Sequence, residues 1–202
     1  RYSGDNNIMI DGILAKRNAS TKACITVKTL ISLAVIAMAV AFPQIVHMAT
    51  GAAGGVKWLP MYLPVIIGAC VLGAKWGVAA AILSPISSFL LTSAFSSPMP
   101  AAARLPFMAA ELAVMALIAG AFCSLIVKNA AWSIAATAAS LVIGRAFFML
   151  LVVIFQSITP FSPAVIMGQI ITGIPGLIAN LAIVPIVVSL FLLALKGERS
   201  RD

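Results

Sequence analysis

The sequence predicts an all-α membrane protein, a six-transmembrane-helix bundle with both termini cytoplasmic. Hydrophobic residues make up 62% of the 202 residues, charged residues make up only 9%, and the mean hydropathy is +1.14. A water-soluble domain of this length cannot bury so much apolar surface. The length suits roughly six helices of about 20 residues with short connections. No room is left for a second domain, so ATP hydrolysis is expected only in partner proteins.

The positions of the basic residues predict the orientation of the spans. Three connections, around residues 47–58, 94–104 and 156–163, contain only Lys57 and Arg104 as basic residues. These connections with few basic residues alternate along the chain with more basic tails and turns, as the positive-inside rule predicts for an even number of spans. Membrane topology therefore explains the net charge of +8, and no nucleic-acid partner is expected. The basic clusters are Lys16, Arg17, Lys22 and Lys28, then Lys75, then Lys128, then Lys196, Arg199 and Arg201.

The chain divides into two tails and one membrane domain. Residues 1–24 are predicted to be a cytoplasmic tail, because they lack the apolar core of a signal peptide, and added non-native residues there stay an open alternative. Residues 25–195 form the membrane domain, and residues 196–202 a second cytoplasmic tail. Apolar runs between turn signals predict the six spans. They cover residues 25–47, 59–72, 78–94, 104–127, 132–156 and 166–195.

Prolines predict irregular places in the spans. The second span begins in a proline-rich segment at Pro60, and Pro175 and Pro185 are expected to kink the sixth. Ser84-Pro85 interrupts the third span. Two explanations stay open there: serines that satisfy the backbone carbonyl freed by the proline, or a broken helix that lines a cavity.

Two charged residues, Glu111 and Arg145, lie inside apolar spans. A formal charge in the bilayer core costs several kcal/mol, so such residues usually face a partner or a cavity. The two residues lie on antiparallel neighbouring spans, at depths close enough for an ion pair. A structural salt bridge and the floor of a ligand cavity are both open interpretations. A proton relay is disfavoured, because no further acids or histidines continue from Glu111.

Aromatic and basic residues gather near the predicted outer ends of the spans. Such residues often only anchor or solvate a helix end at the interface. Alternatively, they cap a small planar or anionic molecule, and one acid with two or three bases favours a carboxylate or phosphate on it. The residues, with two polar ones among them, are His47, Lys57, Trp58, Tyr62, Thr92, Arg104 and Gln156.

Catalysis is not expected. The chain has one histidine and no protease, esterase or P-loop motif. That histidine, Glu111 and unpaired cysteines are too few for a metal site, so no metal and no cofactor are expected. Cys24, Cys70 and Cys123 are predicted to be small buried hydrophobic residues.

Small residues at four-residue spacing predict close helix contacts in lipid. Ala37 and Ala41 have this spacing in the first span, and Ala116 and Gly120 in the fourth. Packing within the bundle and a docking face for another membrane protein are both possible uses.

Several segments, taken in order, resemble the substrate-binding S components of energy-coupling factor (ECF) vitamin transporters. The similarity covers about residues 28–195. One departure is Leu33, where related chains tend to carry a small residue. The segments are Pro60-Met61-Tyr62-Leu63-Pro64-Val65 with Gly68, Leu72-Gly73-Ala74-Lys75-Trp76-Gly77, Leu83-Ser84-Pro85, Pro106-Phe107-Met108-Ala109-Ala110-Glu111-Leu112-Ala113, Gly144-Arg145 and Gly173-Ile174-Pro175-Gly176.

The resemblance implies a bundle in a bacterial cell membrane that captures one water-soluble vitamin or precursor at its outer face. It implies a transmembrane T subunit and two ATPases as partners, with Ala37 and Ala41 as the T-subunit contact. Substrate contacts are expected from outer loops and helix ends. The expected substrate contacts are Tyr62, Arg104, Glu111 and Arg145, followed by His47, Lys57 and Trp58.

Two other functions stay open. A stand-alone proton-coupled small-molecule carrier would use Glu111 as its protonation site, and an assembly or scaffold protein would have no ligand. Within the transporter hypothesis, the ligand is open among pantothenate, cobalamin, riboflavin, folate, pyridoxine, and lipoate or queuosine precursors.

Overall fold

Six helices long and apolar enough to cross a membrane confirm the predicted fold class. The computed structural model describes residues 9–10, 14, 20–95, 99–157 and 162–198, and over these residues it contains helices and turns but no strand. The chain is therefore a multi-pass helical membrane protein. Which end faces outward stays a prediction, and the basic residues Lys16, Arg17, Arg199 and Arg201 lie outside the described residues.

The six spans are built from seven of the nine described α-helices and one 3-10 turn. The spans are α1, α2 together with α3, α4, the 3-10 turn together with α5, α7, and α9. The short helices α6 and α8 lie between spans. The bounds are α1 Thr21–Thr50, α2 Ala52–Trp58, α3 Tyr62–Leu72, α4 Ala74–Ala94, the 3-10 turn Ala102–Arg104, α5 Leu105–Ala121, α6 Cys123–Lys128, α7 Trp132–Phe155, α8 Pro163–Thr172 and α9 Ile174–Glu198.

The helix α3 lies at the centre of the bundle. It contacts all five of the other spanning helices, α1, α4, α5, α7 and α9, and nine of its eleven residues are buried. Its sequence is apolar all round, which suits a fully surrounded position. The outer helices bury one side and expose large apolar residues on the other, such as Leu30 in α1, Val142 in α7 and Leu190 in α9.

Close backbone packing joins three spans at the predicted inner end. Gly73 ends α3 with a φ of 78°, a left-handed conformation that glycine adopts without strain. The end of α5 lies directly against this turn: a Cβ on Gly120 would stand 2.4 Å from the backbone nitrogen of Ala74. Ala116 and Gly120 are buried, so the small residues of the fourth span serve packing within the bundle.

The second span is broken at residues 59–61, between α2 and α3. Leu59 ends α2 in the left-handed region, with a φ of 48°, and its N–H donates to the carbonyl of Gly55. Pro60 has no N–H and disfavours helical geometry in the residue before it. The helix restarts where the N–H of Tyr62 donates to the carbonyl of Leu59 at 3.1 Å. The central helix therefore begins well inside the span.

A second break, at Gly173, divides the predicted sixth span into α8 and α9, and it lies close to the first break. A Cβ on Gly176 would stand 2.6 Å from the carbonyl oxygen of Lys57 and from the carbonyl carbon of Trp58. The glycine lets the start of α9 contact the end of α2. Pro175 falls in the first turn of α9, where proline is tolerated, and α9 continues through Pro185.

The third span is not broken at Ser84-Pro85. The helix α4 runs continuously through Pro85, and the Ser84 hydroxyl donates to the carbonyl of Ala80 at 2.7 Å. Pro85 leaves the carbonyl of Ala81 without its helical donor, and Ser84 bonds the neighbouring carbonyl instead, so no side-chain hydrogen bond of the described residues satisfies the freed carbonyl in the way that the serine explanation required. The cavity-lining broken helix does not apply to this span.

Candidate functional site

The structure brings Tyr62, Glu111 and Arg145 together in one buried cluster. Arg145 Nη1 lies 3.2 Å from Glu111 Oε1, and the Tyr62 hydroxyl donates to the same oxygen at 2.5 Å. The Arg145 guanidinium also lies over the Tyr62 ring, 4.9 Å from its centroid. We call these three residues the polar cluster; it joins α3, α5 and α7.

The polar cluster is almost completely shielded from solvent. The exposed fractions are 3% for Tyr62, 2% for Glu111 and 6% for Arg145. Charges withdrawn from water are stable only when paired and hydrogen-bonded. The predicted ion pair is therefore present, and the tyrosine hydroxyl adds the hydrogen bond that a buried carboxylate requires.

Local structure places each member of the cluster. Tyr62 begins α3 because of the break at Pro60, so its phenol lies at the depth of Glu111. Arg145 follows Gly144, whose added Cβ would stand 2.3 Å from Met115 Cγ. The glycine thus lets α7 approach α5 closely beside the ion pair.

A second guanidinium, that of Arg104, lies next to the polar cluster. It stands 5.6 Å from the ring centroid of Phe148, and Phe148 lies three residues after Arg145, on the same face of α7. Arg104 interacts electrostatically with Tyr62, Glu111 and Arg145. Arg104, predicted at the boundary between an outer connection and the fourth span, therefore lies beside the buried site.

Hydrogen bonds to α4 hold the segment that carries Arg104. Thr92 Oγ1 accepts from the N–H of Met99 at 2.8 Å, and Ser88 Oγ donates to the carbonyl of Met99 at 2.9 Å. The N–H of Arg104 then donates to the carbonyl of Ala101 and closes the 3-10 turn. These bonds fix the start of α5 relative to the cluster.

Five buried side-chain polar atoms of the described residues have no hydrogen-bond partner, and two of them are Arg145 Nε and Asn180 Oδ1. The others are Ser32 Oγ, Gln44 Nε2 and Gln169 Oε1. Asn180 is 2% exposed, and its Nδ2 donates to the carbonyl of Gly176 at 2.7 Å. An unpaired buried polar atom costs about 1–3 kcal/mol unless a bound molecule completes it. Of these atoms, only Arg145 Nε belongs to the polar cluster, where it is a donor available to a further polar group.

The remaining predicted binding residues lie apart from the polar cluster. Lys57 and Trp58 are exposed on α2, where the Lys57 ammonium stands 5.8 Å from the Trp58 ring centroid. His47 lies in the last turn of α1. Within the described part of the chain, no side-chain hydrogen bond or ion pair joins these three residues to the cluster. Their role in binding stays a prediction.

The predicted docking residues face outward, and the cysteines face inward. Ala37 and Ala41 are exposed on one side of α1, beside exposed Leu33 and Met38. Cys24, Cys70 and Cys123 are all buried, as predicted for small hydrophobic residues.

Two buried residues were not predicted from the sequence: Phe148 beside the polar cluster, and Asn180 in α9. Phe148, which packs under Arg104, is one of ten phenylalanines and carries no distinguishing pattern. Asn180 had a usable signal, because it is an amide within the apolar α9 and an intramembrane polar residue is a functional candidate.

The fold and the polar cluster define a class: a multi-pass helical membrane protein with charged residues paired inside the bundle. Comparisons with protein-family models, curated proteins and solved structures find no significant match for this chain. The resemblance to S components therefore rests on the sequence segments alone.

Proposed function

We propose that the chain is the substrate-binding S component of an ECF-type ABC importer in a bacterial cell membrane. It captures a water-soluble vitamin or related micronutrient at the outer face. A T subunit and two ATPases associate with it and supply the energy for delivery inward. In this proposal the chain itself catalyses no reaction and uses no cofactor.

One observation carries the proposal: three of the six segments that resemble the family meet in the polar cluster. They contribute Tyr62, Glu111 and Arg145. A fourth contributes Gly176, which contacts the end of α2 beside the break in the second span. Polar groups gathered beside an interrupted helix are a common composition of solute sites in membrane proteins.

The exposed face of α1 supports the partner part of the proposal. Ala37 and Ala41 leave a shallow strip between larger exposed side chains. Small residues at this spacing let a second helix approach closely in lipid. The T subunit is the proposed occupant of this strip.

The proposal predicts co-purification with a T subunit and ATPases from bacterial membranes, and solute uptake that stops when the ATPases are inactivated. Replacing Ala37 and Ala41 together by leucine should abolish co-purification, because the helices can no longer approach. The isolated variant should still bind solute. Ala182→Leu, which enlarges an exposed residue of α9, is the matched control. Co-purification that survives both leucines contradicts the docking assignment.

A proton-coupled carrier is the second candidate, and one observation favours it. Glu111 is the only acidic residue between positions 12 and 197, and it is buried beside Arg145. For a carrier, an uncoupler should stop uptake, and loss of the ATPases should not. The opposite result excludes the carrier and supports the S component.

A further inference from the structure

The buried site carries more positive than negative charge. Arg104 and Arg145 contribute two guanidinium groups, and Glu111 contributes one carboxylate. The sequence supplies no other acidic residue between positions 12 and 197. Even with Glu111 ionised, the residues that the structure describes supply no second acidic group to pair with the other guanidinium at the site. Buried charges are normally paired, and a bound anion would supply this pairing.

Arg104 faces the interior of the bundle. It is only partly exposed, and its guanidinium lies against Phe148, which is 1% exposed. An arginine that served only the membrane surface would extend toward the lipid headgroups instead. The Arg104 guanidinium therefore lies beside the residue that stands one helical turn after Arg145, on the inner side of the bundle.

Arg145 retains an unused donor for the same anion. Its Nη1 is engaged by Glu111 Oε1, whereas its Nε has no partner. Arginine binds carboxylates in a fork geometry through two parallel N–H groups. The edge of Arg145 that contains Nε is therefore the edge left for a ligand.

We propose that the transported solute carries a single carboxylate, and that this carboxylate binds between the guanidinium groups of Arg104 and Arg145. Glu111 and Tyr62 hold Arg145 in position from the other side and do not contact the carboxylate. This inference rests on the proposed solute-binding function and narrows the substrate to monoanionic acids.

The charge at the site favours a carboxylate over a phosphate. One excess positive charge matches one carboxylate, whereas a phosphate monoester near pH 7 carries about 1.5–2 negative charges. A lipid phosphate is also disfavoured, because Arg145 is 6% exposed and lies inside the bundle.

The test uses the full-length chain purified in detergent and incubated with an ultrafiltered bacterial extract. Retained small molecules are identified by mass spectrometry, and their affinities are then measured by calorimetry. We expect one monocarboxylic acid to be retained. Arg104→Gln should weaken its binding about 10- to 100-fold, because a charge-assisted hydrogen bond is lost. Arg104→Lys should weaken binding less than Arg104→Gln does, because lysine keeps the positive charge but cannot donate two parallel hydrogen bonds to a carboxylate.

Lys75→Gln is the matched control, since it removes an exposed basic residue at the opposite end of the bundle. Its affinity should equal that of the unmodified chain. Equal unfolding temperatures for the Arg104 and Lys75 variants show that weaker binding is not a folding defect. The amide of the retained acid should not bind.

The other outcomes separate the two proposals. A retained molecule that is neutral or cationic, or an amide that binds as well as its acid, overturns the carboxylate inference and leaves the solute-binding function standing. Retention of phospholipid alone overturns the inference as well. If neither the extract nor the lipid supplies a bound molecule, the solute-binding function itself fails.

Discussion

The carboxylate of Glu111 is stable in the bundle because two donors converge on one oxygen. Tyr62 and Arg145 both contact Oε1, from α3 and α7 respectively. A buried ion pair adds little net stability when intact, but breaking it is costly because one charge is left uncompensated. The structural and binding interpretations of the pair can therefore be separated by comparing single and double variants.

Arg145→Met should lower the free energy of unfolding by about 3–5 kcal/mol, because the buried Glu111 loses the guanidinium that pairs directly with its Oε1. The double variant Glu111→Gln with Arg145→Met should recover a large part of this loss. Unfolding in mixed detergent micelles, followed by tryptophan fluorescence, measures the free energy of unfolding of each variant. A double variant no more stable than the single one would show that pairing with Glu111 is not what Arg145 contributes.

The sequence predicted the ion pair but not its surroundings. Glu111 and Arg145 were identifiable as partners because charges inside apolar spans are rare and the two spans are antiparallel neighbours. The contact from Tyr62 depends on where α3 starts, which side-chain patterns do not specify. Phe148 resembles any other apolar residue of α7, and only the packed structure places it under Arg104.

Glycine contacts show how closely the helices approach one another. At Gly120 an added Cβ would meet the backbone of Ala74, whereas at Gly144 it would meet the flexible side chain of Met115. A backbone cannot move aside as a methionine can. Gly144 should therefore tolerate an added methyl group better than Gly120, although both contacts are short.

Gly120→Ala should destabilise the protein by about 1–3 kcal/mol through overpacking against the turn between α3 and α4. Gly168→Ala in α8 is the matched control, because its Cβ would have no atom within 4 Å. That change should be neutral or stabilise by about 0.5–1 kcal/mol, since alanine favours helix. Thermal unfolding in detergent gives the unfolding temperatures of the two variants for comparison. Equal unfolding temperatures would contradict the close contact with Ala74.

Boundaries of the short helices were the least predictable part of the fold. The segment of α2, Ala52–Trp58, contains two adjacent glycines and a lysine, which resemble a loop in the sequence. Its helical form depends on contacts with α1 and α9. Similarly, Gly173 looked like an interior residue of one long span. Tertiary packing overrides local propensity in both cases.

The number of spans followed from hydropathy, but their arrangement did not. In a membrane, lipid-facing and buried surfaces are both apolar, so an apolar helix can occupy the rim or the centre. The central helix α3 belongs to a less apolar span than α9, which exposes more side chains. The contacts alone identify α3 as the centre.

The positive-inside rule predicts which end of the whole bundle faces outward. Ser157→Cys should react in intact cells with a membrane-impermeant maleimide, because it lies at the predicted outer end. Lys128→Cys should react only after permeabilisation. Both positions are exposed, and the three native cysteines are buried. Mass spectrometry of the labelled chain measures both reactions. The reverse pattern would invert the topology and place the polar cluster nearer the cytoplasm.

The pairing of Glu111 with Arg145 also has a consequence for synthesis of the chain. The ribosome completes the fourth span before the fifth, and about 34 residues separate the two charges. At 5–20 residues per second, Glu111 precedes its partner by roughly 2–7 s. During that interval a lone acidic side chain must be sheltered by the insertion machinery or neutralised by a proton. The fifth span thus completes the integration of the fourth, and a chain truncated between them would leave Glu111 in lipid without a counter-charge.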